Sequence, residues 1–302
     1  MEPPVPSRPS RAGDSSAARV DRAIDHVRGN LAEPLDLERL AHAAGLSACH
    51  FHRVFRARTG ETPHAFVKRL RLEDALRRLA HGRPRSLTEV ALASGFSSSS
   101  DFSRSFRQRF GVPPSRFDLE AWRRRRRDDL GRATPAGGLP DGAGDRFEVA
   151  LRRWPAFTVA YLRVAAPYRE GVVHAATTRL VEWAERRGVA DGRWLGYQWD
   201  DPTVVALDDC RYDVAVDVTG RGVAPEAEVG TFDFPPMLVA EIEVSGPVAL
   251  ELRAIEWLHS DWFPRSGHVP ADRPSFEVWA GRPFAHGLEH FEVTVAVPVE
   301  RA

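Results

Sequence analysis

Arg53 and Arg104 stand in neighbourhoods that match at a spacing of 51 residues. Phe51, Arg53, Phe55, Arg56 and Gly60 align with Phe102, Arg104, Phe106, Arg107 and Gly111, and Gly45 aligns with Gly95 at a spacing of 50. A guanidinium bonds a guanine edge bidentately and bonds a phosphate as readily. Phe51 and Phe55, like Phe102 and Phe106, are four apart and read as core. The other face of each of these helices points outward: Ala48, Cys49, His52, Arg53 and Arg56 in the first copy, Ser99, Ser100, Ser103, Arg104 and Arg107 in the second. Small and hydrogen-bonding residues on such a helix let it lie deep in a major groove. A second chemistry lies near the C-terminus. Glu277 is flanked by apolar residues in SFEVW, two residues before Trp279, and LGYQW places Tyr197 two residues before Trp199. A carboxylate among aromatic rings attracts lipophilic cations. Trp262 and Phe276 are further candidates for lining that site.

The elements that must hold the arginines read as helix, turn, helix, twice over, and such repeats are read first. In residues 37–63, Asp36 caps a helix whose Leu37, Leu40, Ala41 and Ala44 share a face. In residues 87–114, Ser86 and Glu89 form a capping box. Gly45 and Gly95 supply left-handed turn residues. Leu46 and Phe96 plug the angle, and Ser47 and one of Ser97 or Ser98 start the second helix. Residues 64–82 between the copies carry Phe66, Leu70, Leu76 and Leu79 at helical spacing. That spacing predicts a stiff spacer able to set two reading helices one duplex turn apart.

Charge separates the chain into halves. Residues 1–130 carry 25 Lys+Arg against 16 Asp+Glu; residues 131–302 carry 17 against 26. A polyanion fits the first half and is repelled by the second. The GRATPAGGLPDGAGD run at 131–145 reads as linker. The expected organisation is a disordered tail at 1–18, a helical domain at 19–127, a flexible linker at 128–145 and a second domain at 146–302. Two cysteines, Cys49 and Cys210, make no disulfide framework, and the apolar runs fall short of a bilayer span. His42, His50, His52 and His64 lack metal-ligand spacing, so neither metal nor cofactor is expected. The N-terminus lacks the apolar stretch of a secretory signal, which makes a cytoplasmic location the expectation.

Residues 19–122, and above all ASGFSSSSDFSRSFRQRFGVPPSRF at 93–117, resemble the AraC/XylS-type DNA-binding domain. The resemblance implies seven helices, two helix-turn-helix units and a sequence-specific regulator of bacterial transcription. Double-stranded DNA is then the partner, with RNA polymerase a further one. Two reading units in one chain suit a monomer or a weak dimer. Cys49 departs from the large or aromatic groove-facing residue of many members.

The acidic half predicts two β-rich units of similar plan. Strand pairs around Pro155 and around Pro235 and Pro236 are each followed by a helix, at about 171–187 and 247–263. Each helix leads to a short aromatic strand, at 195–199 and 275–279, and then to an alternating strand, at 210–218 and 290–299. Two ββαββ-type repeats in pseudo-twofold packing are expected, giving an α+β domain. GYQWDDP, CRYDVAVDV and RPSFEVWAG resemble the GyrI-like effector-binding domain over about 147–299. That resemblance implies a pocket for an amphipathic small molecule, cations included, centred on Glu277. Strand alternation pairs Tyr197 with Trp199 and Glu277 with Trp279, and symmetric packing would bring both pairs to one cleft. Trp183 and Phe276 also read as core. The alternatives for this half are a small-molecule hydrolase with Glu277 as general base and a protein-interaction module. No nucleophile–base pair or oxyanion loop is recognisable, so an enzyme is not expected.

Overall fold

The structure is a computed structural model that describes residues 16–81, 86–133, 146–226, 228–271, 273–287 and 289–301. The chain forms two compact units. One holds the residues up to Leu119 together with 225–230, and the other holds Glu120–Ala224 and Thr231–Ala302.

The first unit is helical: α1 (Ser16–Gly29), α2 (Leu37–Ala44), α3 (Ala48–Thr59), α4 (Pro63–His81), α5 (Leu87–Ala93) and α6 (Ser99–Phe110). The Asp36 carboxylate accepts from the Arg39 amide at 2.8 Å, and the Ser47, Ser86 and Ser98 hydroxyls accept from the amides of His50, Glu89 and Asp101. Each of these four helices therefore starts where a short polar side chain satisfies an orphan N–H. Gly45 and Gly95 adopt left-handed φ of 63° and 82°. At Gly95 glycine is obligatory, because a Cβ would run into the Leu31 carbonyl. Phe51 and Phe55 are fully buried with Leu40, Ala41, Ala44 and Phe66. In the second unit of the repeat, Phe96, Phe102 and Phe106 stack in series at 5.3 and 5.5 Å. α4 has 19 residues, about 28 Å. It packs on α2 and α3 as well as on α5 and α6, so one spacer helix supports both reading helices.

The seventh helix, α7 (Leu119–Ala133), begins at the last residue of the helical unit and belongs to the second unit from Glu120 onward. Residues 128–133 of the expected linker are thus helical, and the rest of it, 134–145, lies outside the described residues. Residues 16–18 of the expected tail form the start of α1, and 1–15 lie outside the described residues.

The second unit is a nine-stranded sheet with helices. Its elements are β1 (Ala150–Trp154), β2 (Phe157–Ala165), α8 (Val172–Arg187), β3 (Trp194–Gln198), β4 (Arg211–Asp217), β5 (Gly230–Phe234), β6 (Met237–Gly246), α9 (Val248–Trp257), α10 (Phe263–Ser266), β7 (His268–Pro270), β8 (Ser275–Trp279) and β9 (Phe291–Arg301). The strand order is β1-β6-β9-β8-β3-β4-β2-β5, with β7 paired to β9. A π-helical turn at Leu258–Trp262 joins α9 to α10.

The two sheet faces differ. One packs Trp154, Phe157, Val159, Tyr161, Leu195, Tyr197, Phe234 and Phe276 into a dry aromatic core. The other carries Ile242, Val244, Val293 and Val295 beneath α9. α8 covers β2 and β4 on this same face, as shown by Phe284, which touches both His174 of α8 and Trp279 of β8. α9 rests on β6 and β9. The central strands β3 and β8 therefore form the floor between the two helices.

Candidate functional site

The outward residues of the two reading helices lie where the periodicity puts them. Cys49, Arg53 and Arg56 on α3 and Ser100, Arg104 and Arg107 on α6 are exposed. Ala48, His52, Ser99 and Ser103 are half-buried on the same helices. Both helices have 12 residues, and both end in a left-handed glycine, Gly60 or Gly111. Arg53 and Arg104 thus occupy the same turn of equivalent helices.

The acidic site differs from the expected cleft. In the β3–β8 ladder, Tyr197 stands opposite Phe276 and Gly196 opposite Glu277. Paired residues point to the same face, so Tyr197, Trp199 and Phe276 lie on one side of the sheet while Glu277 and Trp279 lie on the other. Tyr197 and Phe276, each 1% exposed, belong to the aromatic core. Trp199 packs against that core, with its ring 5.6 Å from Phe232. The cleft shared by Tyr197, Trp199 and Glu277 does not form, because the register sets the two pairs one residue out of phase. Trp262 sits in the π-helical turn, packs against the apolar cluster under α9 and stacks on His268 at 5.9 Å.

Glu277 keeps different company. The Tyr212 hydroxyl of β4 donates to its Oε2 at 2.7 Å. Gly196 makes this possible, since a side chain there would occupy the position of the Tyr212 hydroxyl. From α9, the buried carboxyl of Glu251 lies beside Glu277 and acts on it. Tyr212 is 6% and Glu251 4% exposed. Glu277 is enclosed by protein yet retains solvent-accessible surface, as a group on the floor of a recess does. Beside it, the Gln198 amide donates to the Tyr168 hydroxyl at 2.9 Å. Glu251, Tyr212, Tyr168 and Gln198 escaped the sequence reading. The one signal for them was Gly196 in mid-strand, since an interior strand glycine marks a close approach.

The electrostatics follow from enclosure. Burial raises the Glu251 carboxyl well above the ordinary range, and the neighbouring Glu277 raises it further. Burial also raises Glu277, while hydrogen bonds from Tyr212 and Glu251 pull it back down. Tyr212 and Tyr168 are both raised, first by burial. Both carboxyls are thus harder to ionise than a solvated glutamate, and they titrate as a pair. Among the described residues no group of three or more His, Cys, Asp or Glu is placed to hold a metal.

Residues 147–300, about half of the chain, match the family described as GyrI-like small molecule binding domain. The chain belongs to this GyrI-like family. Ahead of the GyrI-like part, residues 40–120 match a helix-turn-helix domain of AraC type. The helical part is similar to curated transcription factors. It is 34% identical over 95 residues to the probable transcriptional regulator LumQ of Photobacterium leiognathi, covering 32% of this chain and 38% of LumQ. It is 35% identical over 101 residues to the transcriptional activator RhaS of Escherichia fergusonii, covering 33% and 36%. The chain therefore spans less than two fifths of the length of these relatives. Among solved structures, the DNA-binding domain of AdpA in complex with a target DNA is 31% identical, covering 36% of this chain and 96% of that one, at a TM-score of 0.32. No described helix of the chain is long and apolar enough to cross a membrane.

Proposed function

We propose that this GyrI-like protein is a sequence-specific DNA-binding transcriptional regulator whose acidic half binds an amphipathic, cationic small molecule. The carrying observation is the equivalence of Arg53 and Arg104, exposed on matching turns of two capped helices braced by one spacer helix. In this reading, arginine–phosphate contacts supply affinity and the outward faces of α3 and α6 select bases. The names of LumQ and RhaS support the regulatory role. RNA polymerase as a further partner, a cytoplasmic location, and a monomer or weak dimer as the working form belong to the same proposal.

The ligand enters the recess floored by β3 and β8. Glu277 supplies the charge, Tyr212 holds that carboxylate, and Trp279 and Tyr168 supply aromatic surface. A cation over a ring gains about 0.5–2 kcal/mol, more when desolvated. The two-repeat plan is supported by the strand order. Exchanging β1 with β5, β2 with β6, β3 with β8 and β4 with β9 returns the same order read from the other end. Domains at 19–127 and 146–302 belong to the same proposal. A ligand regulates only if it binds the active and inactive arrangements unequally.

Selection of bound sequences from random duplexes, followed by titration of the selected site with and without a lipophilic cation, tests both halves. A selected motif and a cation-dependent change in affinity are expected. Failure to enrich any motif overturns the DNA assignment, and an unshifted melting temperature with every cation overturns the effector assignment.

A further inference from the structure

We propose that residues 281–287 are a plug on the recess: Phe284 occupies the face of Trp279 that a ligand ring would use, and the segment swings away on Gly281 and Gly287 when a ligand takes its place. The inference rests on the effector-binding reading of the recess and adds how entry to it is controlled.

Residues 280–290 join β8 to β9, a long connection where neighbouring antiparallel strands are usually joined by about two to five residues. The connection folds back onto the domain. The Phe284 ring lies 4.8 Å from Trp279, 6.0 Å from Phe291 and 5.1 Å from His174 of α8. Two residues earlier, the Arg282 guanidinium donates to the Glu185 carboxylate at 2.7 Å. His174 and Glu185 stand about three turns apart on α8, so they share a face of the helix and span about 16 Å. The segment therefore runs along the side of α8 and roofs the floor strands at Trp279. Trp279 shares a face of β8 with Glu277, so the roofed end is the one that carries aromatic surface for a ligand.

The backbone at the plug is strained. Phe284 has φ 57°, a region that a bulky side chain holds only when its surroundings keep it there. The other non-glycine residue with positive φ among the described residues is Ala166, at 49°, in the turn that brings Tyr168 to Gln198 of β3. The contacts that keep Phe284 in place are ones that let go. The Arg282 and Glu185 side chains are 59% and 49% exposed, and water screens such a pair. His286, 3.8 Å from the Glu292 carboxylate, is as open. Gly281 and Gly287 bound the segment with φ of 93° and 83°, and each has open space where a Cβ would stand. The backbone turns at both without a clash. A Phe284 that swings out recovers an unstrained φ, which offsets part of the cost of uncovering its ring. A ligand ring on Trp279 then replaces the contact that Phe284 gives up. Plug and ligand compete for one surface, so the apparent affinity is lowered by the fraction of molecules whose plug is in.

Stopped-flow binding of tetraphenylphosphonium to the full chain, together with hydrogen exchange over residues 281–287, tests the plug. Phe284→Gly removes the ring and accepts the φ, so the probe should bind about tenfold or more tightly and associate faster, since an open minor state is populated to about 10% or less. Arg282→Ala loosens the exposed tether and should quicken exchange of the Ala285 and Gly287 amides, which bond the Arg282 and Phe284 carbonyls, by about two- to fivefold with no change in β8 or β9. Saturating probe should raise exchange over 281–287 in the native chain, because the bound ligand holds the plug out. Equal or weaker binding in Phe284→Gly, or protection of 281–287 by the probe, makes the ring a wall of the site; either overturns the plug and leaves the effector reading standing. Binding by neither protein overturns the effector reading, and unchanged exchange in Arg282→Ala shows, without any ligand, that the segment does not lift.

Discussion

Gly196 stands directly across from Glu277 in the β3–β8 ladder, and the missing side chain is what admits the Tyr212 hydroxyl to the Glu277 carboxylate. A backbone position on one strand thereby sets the protonation of a side chain on the next. A hydrogen bond to the charged form favours that form, so the glycine keeps Glu277 available as an anion.

Two substitutions separate the parts of this arrangement. Tyr212→Phe removes the donor and keeps the ring, so the Glu277 carboxyl shifts upward and the rise of cation affinity with pH moves to higher pH. Gly196→Ala pushes the hydroxyl away and overpacks the floor, costing about 1–3 kcal/mol of stability as well. Titrating tetraphenylphosphonium between pH 5 and 9 reads the first shift, and urea unfolding reads the second. An unmoved pH profile in Tyr212→Phe would show that the hydroxyl does not hold the anion.

Glu251 ties stability to pH. In the unfolded chain a glutamate titrates near ~4.3, while burial and Glu277 raise it in the fold. Between those two values the folded state keeps a proton that the unfolded state has lost. Stability is full below the unfolded value and falls as pH rises, by up to about 1.4 kcal/mol per pH unit. Glu251→Gln cannot ionise and should flatten that slope. Urea midpoints at pH 5, 6.5 and 8 for both proteins check it; parallel slopes would mean that Glu251 is ionised in the fold.

The helical half was legible because its signals are local. Asp36, Ser86 and the two turn glycines each act within four residues, and the caps form at those positions. The acidic half depended on pairing between strands about 80 residues apart. Alternation correctly joins Tyr197 to Trp199 and Glu277 to Trp279, but it leaves open which faces coincide, and a one-residue slip exchanges them. Glu251 was hidden for another reason. In the helix VALELRAIEW it looks like any acidic residue in a first turn, and only the fold turns it toward Glu277. Helix α7 runs on through 128–133 of the expected linker because Leu130 and Gly131 are buried, which composition alone does not reveal.

Helix α7 is fastened to the sheet unit by its tryptophan. The Trp122 indole N–H donates to the Val204 carbonyl at 2.8 Å, and the Arg126 guanidinium lies 4.8 Å over the ring. Arg127 pairs with Glu256 of α9 at 2.8 Å, but both side chains are 39% exposed. A partly exposed pair contributes up to about 1 kcal/mol and is screened by salt. Trp122→Phe should therefore cost about 1 kcal/mol through the orphaned carbonyl, and Arg127→Ala less. Calorimetric melting in 0.5 M salt separates them; equal losses would place the fastening in the ion pair.

The two arginines of the reading helices make the last prediction. Arg53→Ala and Arg104→Ala each remove a guanidinium from an exposed helix position without touching the buried phenylalanines on the opposite side. Helix content and melting temperature should hold, while affinity for the selected duplex falls by about 1–3 kcal/mol at matched salt. The salt slope tells the two roles apart. Loss of a phosphate contact lowers the slope by about one and weakens all sequences alike, whereas loss of a base contact leaves the slope and relaxes preference at one base pair. Because the helices are equivalent, the positions relaxed by the two variants should be separated by about one helical turn, 10–10.5 base pairs. Relaxation of the same base pair by both, or of none, would show that α3 and α6 do not read successive grooves.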